Sequence, residues 1–251
     1  MTNKIISYVL IIRFFILCLN TLLFTILALL FFWSRYTSLN IDYYLMNAWG
    51  YTSTFIYGIK RESNRKAHDK KFVGIYVAPH SSFWDILILG SELKGFFVSK
   101  AEVLKWPIIG LGAKFVRTVF IDREKGVSAL KSMERSAQRI FNSGNSLIVF
   151  PEGTRSYEHM QHLKSGPFHV SCVTGKPISP VIITYHPRES VVPRIKGNFI
   201  KELFRQSMTA HKTVARVQVL PPIQPQDFGS VEELKKHVHL VMDEYYKKLS
   251  V

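Results

Sequence analysis

Residues 118–150, TVFIDREKGVSALKSMERSAQRIFNSGNSLIVF, hold a strand, a helix and a second strand in succession. The two ends, 118–121 and 146–150, are rich in Val, Ile and Phe, the residue types that suit a pleated, buried surface. Between Lys125 and Ser143 the apolar residues Val127, Leu130, Ala137, Ile140 and Phe141 recur at helical spacing, and Asn142-Ser143-Gly144 stops the run. The pattern spreads outward. Residues 72–78, 95–99, 178–185 and 213–220 also read as strands, several almost continuously apolar, as strands covered on both faces are. A last helix opens on a capping box, Ser230 with Glu233, and carries Val231, Leu234, Val238, Val241, Met242 and Tyr245 on one stripe. This alternation predicts an α/β fold, a mainly parallel central sheet flanked by helices.

The 251 residues suffice for one such domain and an additional segment. A chain 47% hydrophobic and 20% charged is no disordered polyelectrolyte, and Cys18 and Cys172 alone make neither a disulfide scaffold nor a multi-cysteine zinc site. The formal charge of +15 calls for an anionic partner, nucleic acid or an anionic membrane surface. The apolar residues decide between them. From Phe14 to Trp33 only Asn20, Thr21 and Thr25 interrupt an uncharged apolar run. As a helix it covers about 30 Å, the thickness of a bilayer's hydrocarbon core. A secretory signal would need a small-residue cleavage site that positions 29–35 lack, and a soluble core helix of this length without charge is unusual. Residues 41–59 follow with Tyr43, Tyr44, Trp49, Tyr51, Phe55 and Tyr57, side chains that favour the headgroup layer. Then come Lys60, Arg61, Arg65, Lys66, Lys70 and Lys71, a juxtamembrane cluster that attracts anionic lipid. Whether the first helix spans the bilayer or lies in one leaflet is open at this level. No zinc finger or RNP motif supports nucleic-acid binding, and the anchor accounts for the charge through lipid phosphate. The expected division is a membrane-anchoring segment at 1–60 and a catalytic domain at 61–251.

Three segments can carry chemistry. Ala78-Pro79-His80-Ser81-Ser82-Phe83-Trp84-Asp85 follows a strand. Five positions apart on one helix, His80 and Asp85 would point about 140° apart. They can meet if His80 sits in the strand-to-helix turn and Asp85 in the first turn of the helix, capped by Ser81 or Ser82. Asp85 then fixes the imidazole tautomer and leaves the other nitrogen as a base. A histidine merely satisfied in a turn is the plain alternative. No Gly-x-Ser-x-Gly elbow supports a serine nucleophile. Phe120-Ile121-Asp122-Arg123 and Phe150-Pro151-Glu152-Gly153-Thr154-Arg155-Ser156 end two further strands, where ligands gather in open α/β sheets. Arg123 and Arg155 can each grip a phosphate bidentately, and Gly153 lets a backbone N–H approach an oxyanion. No metal is required. His159 with His162 and His237 with His239 lack a third ligand at a known spacing.

Taken in order, His80-x4-Asp85, Phe120–Arg123, Phe150–Ser156 and the proline-bearing strand Ile178-Ser179-Pro180-Val181-Ile182 resemble the four blocks of the glycerolipid acyltransferase family. The likeness is greatest to the bacterial 1-acyl-sn-glycerol-3-phosphate acyltransferases and covers about residues 70–185; Val98–Glu102, Trp106–Gly110 and Lys164-Ser165-Gly166 add to it. Pro79 stands where many members have Asn, and Ser-Pro-Val where Val-Pro-Val is commoner. The resemblance implies transfer of a fatty acyl group from acyl-CoA or an acyl carrier protein to the sn-2 hydroxyl of lysophosphatidic acid, without a cofactor. The expected partners are thus a lysophospholipid acceptor, an acyl thioester donor and an anionic membrane surface, not nucleic acid. The expected location is the bacterial inner membrane, with the catalytic domain on the cytoplasmic side. His80 and Asp85 would be catalytic. Arg123, Thr154 and Arg155 would hold a phosphate of the acceptor or donor, Glu152 would orient them or a glycerol hydroxyl, and Lys100 or the Gly153 amide would face the oxyanion. An acyltransferase for another lysolipid, such as lyso-ornithine lipid, an inactive membrane scaffold and a basic nucleic-acid binder are the rival assignments.

Overall fold

A computed structural model describes residues 2–33, 39–64, 71–106, 109–153, 162–191 and 199–249. The chain begins with two helices, α1 (Thr2–Trp33) and α2 (Leu39–Tyr57), and a short strand, β1 (Lys60–Ser63). The alternating part runs β2 (Ile75–Val77), α3 (Trp84–Glu92), β3 (Gly95–Lys100), α4 (Ile109–Phe115), β4 (Val119–Ile121), α5 (Gly126–Asn142), β5 (Ser146–Val149), α6 (Gly166–Thr174) and β6 (Ile178–His186). It closes with α7 (Phe199–Thr209), β7 (Val214–Val219) and α8 (Val231–Leu249). The strands form a sheet of order β1-β7-β6-β2-β5-β3-β4. Every described pairing is parallel except β6 with β7. The expected α/β fold with its mainly parallel sheet is therefore present.

The nearly unbroken apolar character of the strands follows from burial on both faces. Ile75, Val77, Phe96, Leu147, Val149, Ile178 and Ile182 face α5, α6 and α8, where they meet Met133, Ala137, Phe168, Leu234, Val238 and Met242. The alternate residues Tyr76, Phe97, Ile148, Val181, Ile183 and Tyr185 face α3 and α2, against Trp84, Leu87, Ile88 and Tyr57. On α5 the buried face is Ala129, Met133, Ala137, Ile140 and Phe141. Val127, placed on that stripe by spacing alone, is 72% exposed, because it lies about 110° around the helix from the centre of the buried face. The capping box of α8 forms, with the Glu233 amide donating to Ser230 Oγ at 3.2 Å and the Gly229 amide to Glu233 Oε2 at 3.0 Å.

The N-terminal helices lie along the domain. Arg13 of α1 donates to the Tyr57 carbonyl at the end of α2, and Asn20 bonds Thr52 and Ser53 across the two helices. Further along α1, Thr25 sits so close to α4 that a Cβ on Gly112 would stand 2.8 Å from its hydroxyl. An ion pair of Arg117 with the buried Asp42 ties α2 to the segment after α4. Tyr8–Phe31 is long and apolar enough to cross a membrane, and only 11% of its most apolar stretch is buried against the protein. Its outer face carries Tyr8, Ile12, Phe15, Leu19, Leu23, Ile26 and Leu30.

Two sequence expectations are corrected here. The aromatics of 41–59 divide, with Tyr44, Tyr51 and Phe55 on an exposed stripe of α2 while Tyr43 and Tyr57 join the core. The basic cluster is in part a strand of the sheet. Lys60 and Arg61 belong to β1, which pairs with β7, and Arg61 bonds Ser91 and lies over the Tyr51 ring. Arg65, Lys66 and Lys70 lie outside the described residues.

Candidate active site

Strands β2, β3, β4 and β5 are mutually parallel, so their C-terminal ends open on one edge of the sheet. The segments singled out by sequence leave from these ends: His80 after β2, Lys100 at the end of β3, Arg123 after β4, and Glu152 and Gly153 after β5. This is where an open α/β sheet binds its ligands.

The turn from β2 into α3 brings His80 and Asp85 together. Ser82 Oγ accepts the Trp84 amide and the Ser82 carbonyl accepts that of Asp85, which starts the helix at Trp84. Asp85, in the first helical turn, reaches back, and its Oδ2 lies 2.8 Å from His80 Nδ1 and accepts the Ser81 and Ser82 amides at 2.7 Å each. Its other oxygen, Oδ1, accepts the hydroxyl of Tyr185 from β6. The carboxylate is fully buried, whereas 17% of the His80 side chain is exposed. Four polar groups therefore converge on this one carboxylate. Held through Nδ1, His80 keeps Nε2 for chemistry. Its ring stacks on Phe150 at 4.1 Å between centroids, and Phe150 stacks on Phe97 at 5.8 Å, which limits ring rotation.

Gly153, at φ 74°, permits the sharp turn after β5, and its amide donates to the Phe150 carbonyl at 3.1 Å. That N–H is thus engaged within the turn. Glu152 is buried, its Oε2 has no hydrogen-bond partner, and the His80 backbone N–H bonds its carboxyl. Burial pushes the Glu152 carboxyl up to about 7, the Asp85 charge acts the same way, and the His80 bond opposes both. Thr154 and Arg155 lie outside the described residues, as does the side chain of Arg123, whose backbone forms a single helical turn over Arg123–Lys125. Among the described residues no three His, Cys, Asp or Glu side chains converge.

His80 opens onto a cavity of about 380 Å³. Its walls come from α1 (Thr21, Phe24, Thr25), α2 (Leu45, Met46, Trp49), α3 (Phe83, Ile86), β3 with the following turn (Phe97, Val98, Lys100, Val103, Trp106) and α4 (Gly112, Ala113, Val116), with Phe150 and Gly153 beside the histidine. The volume is that of a small-molecule site, and the walls are mostly apolar, with polar groups at His80, Ser99, Lys100, Thr118 and the two threonines of α1. Ile86 lines this cavity, whereas Val181, Ile182 and Ile183 are core residues. Sequence reasoning missed the contribution of α1, α2 and α4, which no local pattern marks. It also missed Tyr185, whose only signal is an alternation Val181-Ile183-Tyr185 that turns its hydroxyl into the core, where it needs a partner.

Comparison with known proteins agrees with this geometry. Over 198 residues the chain is 29% identical to a 1-acyl-sn-glycerol-3-phosphate acyltransferase of Limnanthes alba, covering 78% of this chain and 65% of that protein. It is 32% identical over 173 residues to a lyso-ornithine lipid O-acyltransferase of Rhodobacter capsulatus, covering 64% of this chain and 62% of that one. The crystal structure of the 1-acyl-sn-glycerophosphate acyltransferase PlsC from Thermotoga maritima superposes with a TM-score of 0.76 at 21% identity, over 100% of this chain and 98% of that one. The Acyltransferase family model matches residues 59–184, from just before β1 into β6, and the chain belongs to that family.

Proposed function

We propose that this chain transfers a fatty acyl group from an acyl thioester to the sn-2 hydroxyl of lysophosphatidic acid, giving phosphatidic acid. The observation that carries it is a histidine oriented by a buried carboxylate at the mouth of a mostly apolar cavity of about 380 Å³. The acyl chain of the donor fills the cavity, which leaves the thioester carbonyl beside His80. His80 Nε2 takes the proton of the acceptor hydroxyl as its oxygen attacks, and Asp85 stabilises the imidazolium that forms. Lys100, on the same cavity wall, faces the oxyanion, since the Gly153 amide is engaged with Phe150. The imidazolium then protonates the departing thiolate of CoA or the carrier protein, and no other cofactor enters. Arg123, Thr154 and Arg155 hold the acceptor's phosphate, and Glu152 orients them or a glycerol hydroxyl.

The outer faces of α1 and α2 enter the membrane. Because α1 touches the domain from Arg13 through Thr25, we assign it to one leaflet rather than to a full crossing. The catalytic edge then meets the cytoplasmic surface, where acyl thioesters are available. A second acceptor class, the lyso-ornithine lipids, is favoured by the Rhodobacter capsulatus relative.

The test is an acceptor panel. Purified full-length protein, one labelled acyl-CoA and vesicles carrying lysophosphatidate or lyso-ornithine lipid should give rapid acylation of the first and slow acylation of the second. The reverse order would replace lysophosphatidate by the phosphate-free acceptor. His80→Ala should lower turnover by about 10²–10⁴ while the protein stays folded; near-normal turnover would remove His80 from the mechanism.

A further inference from the structure

Asp85 makes two kinds of contact. Those on Oδ2 are local, from His80, Ser81 and Ser82. The contact on Oδ1 comes from Tyr185, a hundred positions along the chain. We propose that Tyr185 is a positioning residue for acyl transfer, whose hydroxyl fixes the plane of the Asp85 carboxylate and so sets how strongly that carboxylate holds the His80 imidazolium.

The register of the sheet explains why this tyrosine is in place. β6 has nine residues and β2 three, paired from Ile75 with Ile178 to Val77 with Pro180. The last residues of β6 therefore extend past the end of β2, alongside the turn that carries His80. Tyr185 shares the face of Val181 and Ile183, the face covered by α3, so its ring continues the core and its hydroxyl meets the first turn of that helix. Packing needs only the ring. A buried hydroxyl is another matter, because it must find a partner, and the partner here is the carboxylate of the proposed base. Burial and the neighbouring Asp85 charge raise the phenol's ionisation well above its ordinary range, so it stays a donor throughout the working pH. Without it, Oδ1 would lie unpartnered and the carboxylate could rotate about Cβ–Cγ, away from the orientation that serves Nδ1.

The proposal rests on His80 acting as the base, and the experiment separates the two ideas. Besides Tyr185, the groups around Asp85 that carry or change charge are His80, Glu152 beside the His80 amide and Lys100 on the cavity wall. Burial pushes the Glu152 carboxyl up to about 7, so the profiles are recorded in both wild-type and Glu152→Gln backgrounds. In full-length protein, Tyr185→Phe should lower kcat about tenfold, the scale of one hydrogen bond to a charged group. The KM values for acyl-CoA and lysophosphatidate should stay within about twofold. The acid limb of kcat should move down by about half a pH unit or more, because a carboxylate turned away from Nδ1 holds the imidazolium less strongly. Replacing the Tyr185 phenol by a difluorinated phenol, which fills the same space and donates more strongly, should move the limb down. An unmoved limb in both proteins would overturn the proposal. So would a loss expressed in the KM values with kcat intact, which is the behaviour of a residue that only packs. If Tyr185→Phe fails to fold, the fluorinated protein decides alone: a limb displaced downward sustains the role and an unmoved one ends it. Full turnover in His80→Ala would instead remove the base itself, whatever Tyr185 does.

Discussion

Replacing Asp85 by Asn keeps the shape of the side chain and removes its charge. Oδ2 lies 2.8 Å from His80 Nδ1, so the charge centres of carboxylate and imidazolium are about 4 Å apart. At an effective dielectric constant of about 20 their attraction is about 4 kcal/mol. This term is absent while the imidazole is neutral and grows as it takes the acceptor's proton, so its loss falls on the barrier and amounts to about a thousandfold in kcat. The fold should tolerate the change. The Asn oxygen still accepts the Ser81 and Ser82 amides, and its NH2 group turns to Tyr185, whose hydroxyl rotates to accept. The assay is turnover of labelled acyl-CoA with lysophosphatidate in mixed micelles, with melting curves recorded on the same samples. A folded Asp85→Asn enzyme within tenfold of wild type would refute the electrostatic role. A large loss in a protein that no longer melts cooperatively would place the damage in the fold instead.

Glu152→Gln tests the buried carboxyl. Its ionisation is raised from 4.5 to about 7, so the stability it contributes is full below about pH 4.5 and is lost as pH rises through 7, by about 3 kcal/mol in all. Denaturant midpoints should therefore fall across that window in wild type and stay flatter in Glu152→Gln; equal slopes would contradict the shift. Arg155→Lys keeps the charge and loses the planar fork, so the acceptor KM should rise about ten- to a hundredfold with the donor KM unchanged. A rise confined to the acyl-CoA KM would make Arg155 a donor ligand. Ala113→Trp, on the cavity wall, should shift preference toward shorter acyl chains. Each displaced methylene costs about 0.8 kcal/mol, about fourfold in kcat/KM, and an unchanged chain-length profile would take the acyl chain out of this cavity.

β2, β5 and β6 were legible because burial on both faces writes itself into composition, and β7 because buried and more exposed residues alternate along it. β1 was not, since Lys60-Arg61-Glu62-Ser63 looks like a solvated linker. Charge is also what protects an edge strand, and its partner β7 lies too far along the chain for any local pattern to indicate. The same distinction divides the site. The spacing of His80 and Asp85 limits how they can meet, and the strand-to-helix turn brings them together. Tyr185 reaches Asp85 from 100 positions away, and Gln206, which accepts the Ser82 hydroxyl at 3.0 Å, from 124. Their roles depend on strand order and helix packing, which spacing does not encode. The cavity is of the same kind. Thr21, Trp49 and Gly112 come from three helices, and their sequence neighbours are apolar for reasons of membrane contact and core packing as much as for a ligand.

The pairing of β1 with β7 also bears on the order in which the molecule is made. Lys60 waits for Val214 and Glu62 for Arg216, an interval of 154 residues. At about 5–20 residues per second on the ribosome this is roughly 10–30 s. Throughout that time the apolar hairpin of α1 and α2 is complete and free to meet a bilayer, while the edge of the sheet beside it stands open. The wait matters for β1, whose four residues have no other partner strand among those described. Tyr185, too, leaves the ribosome a hundred residues after the carboxylate it holds. The apolar helices are therefore complete first in the life of each molecule, and the contacts around His80 are complete last.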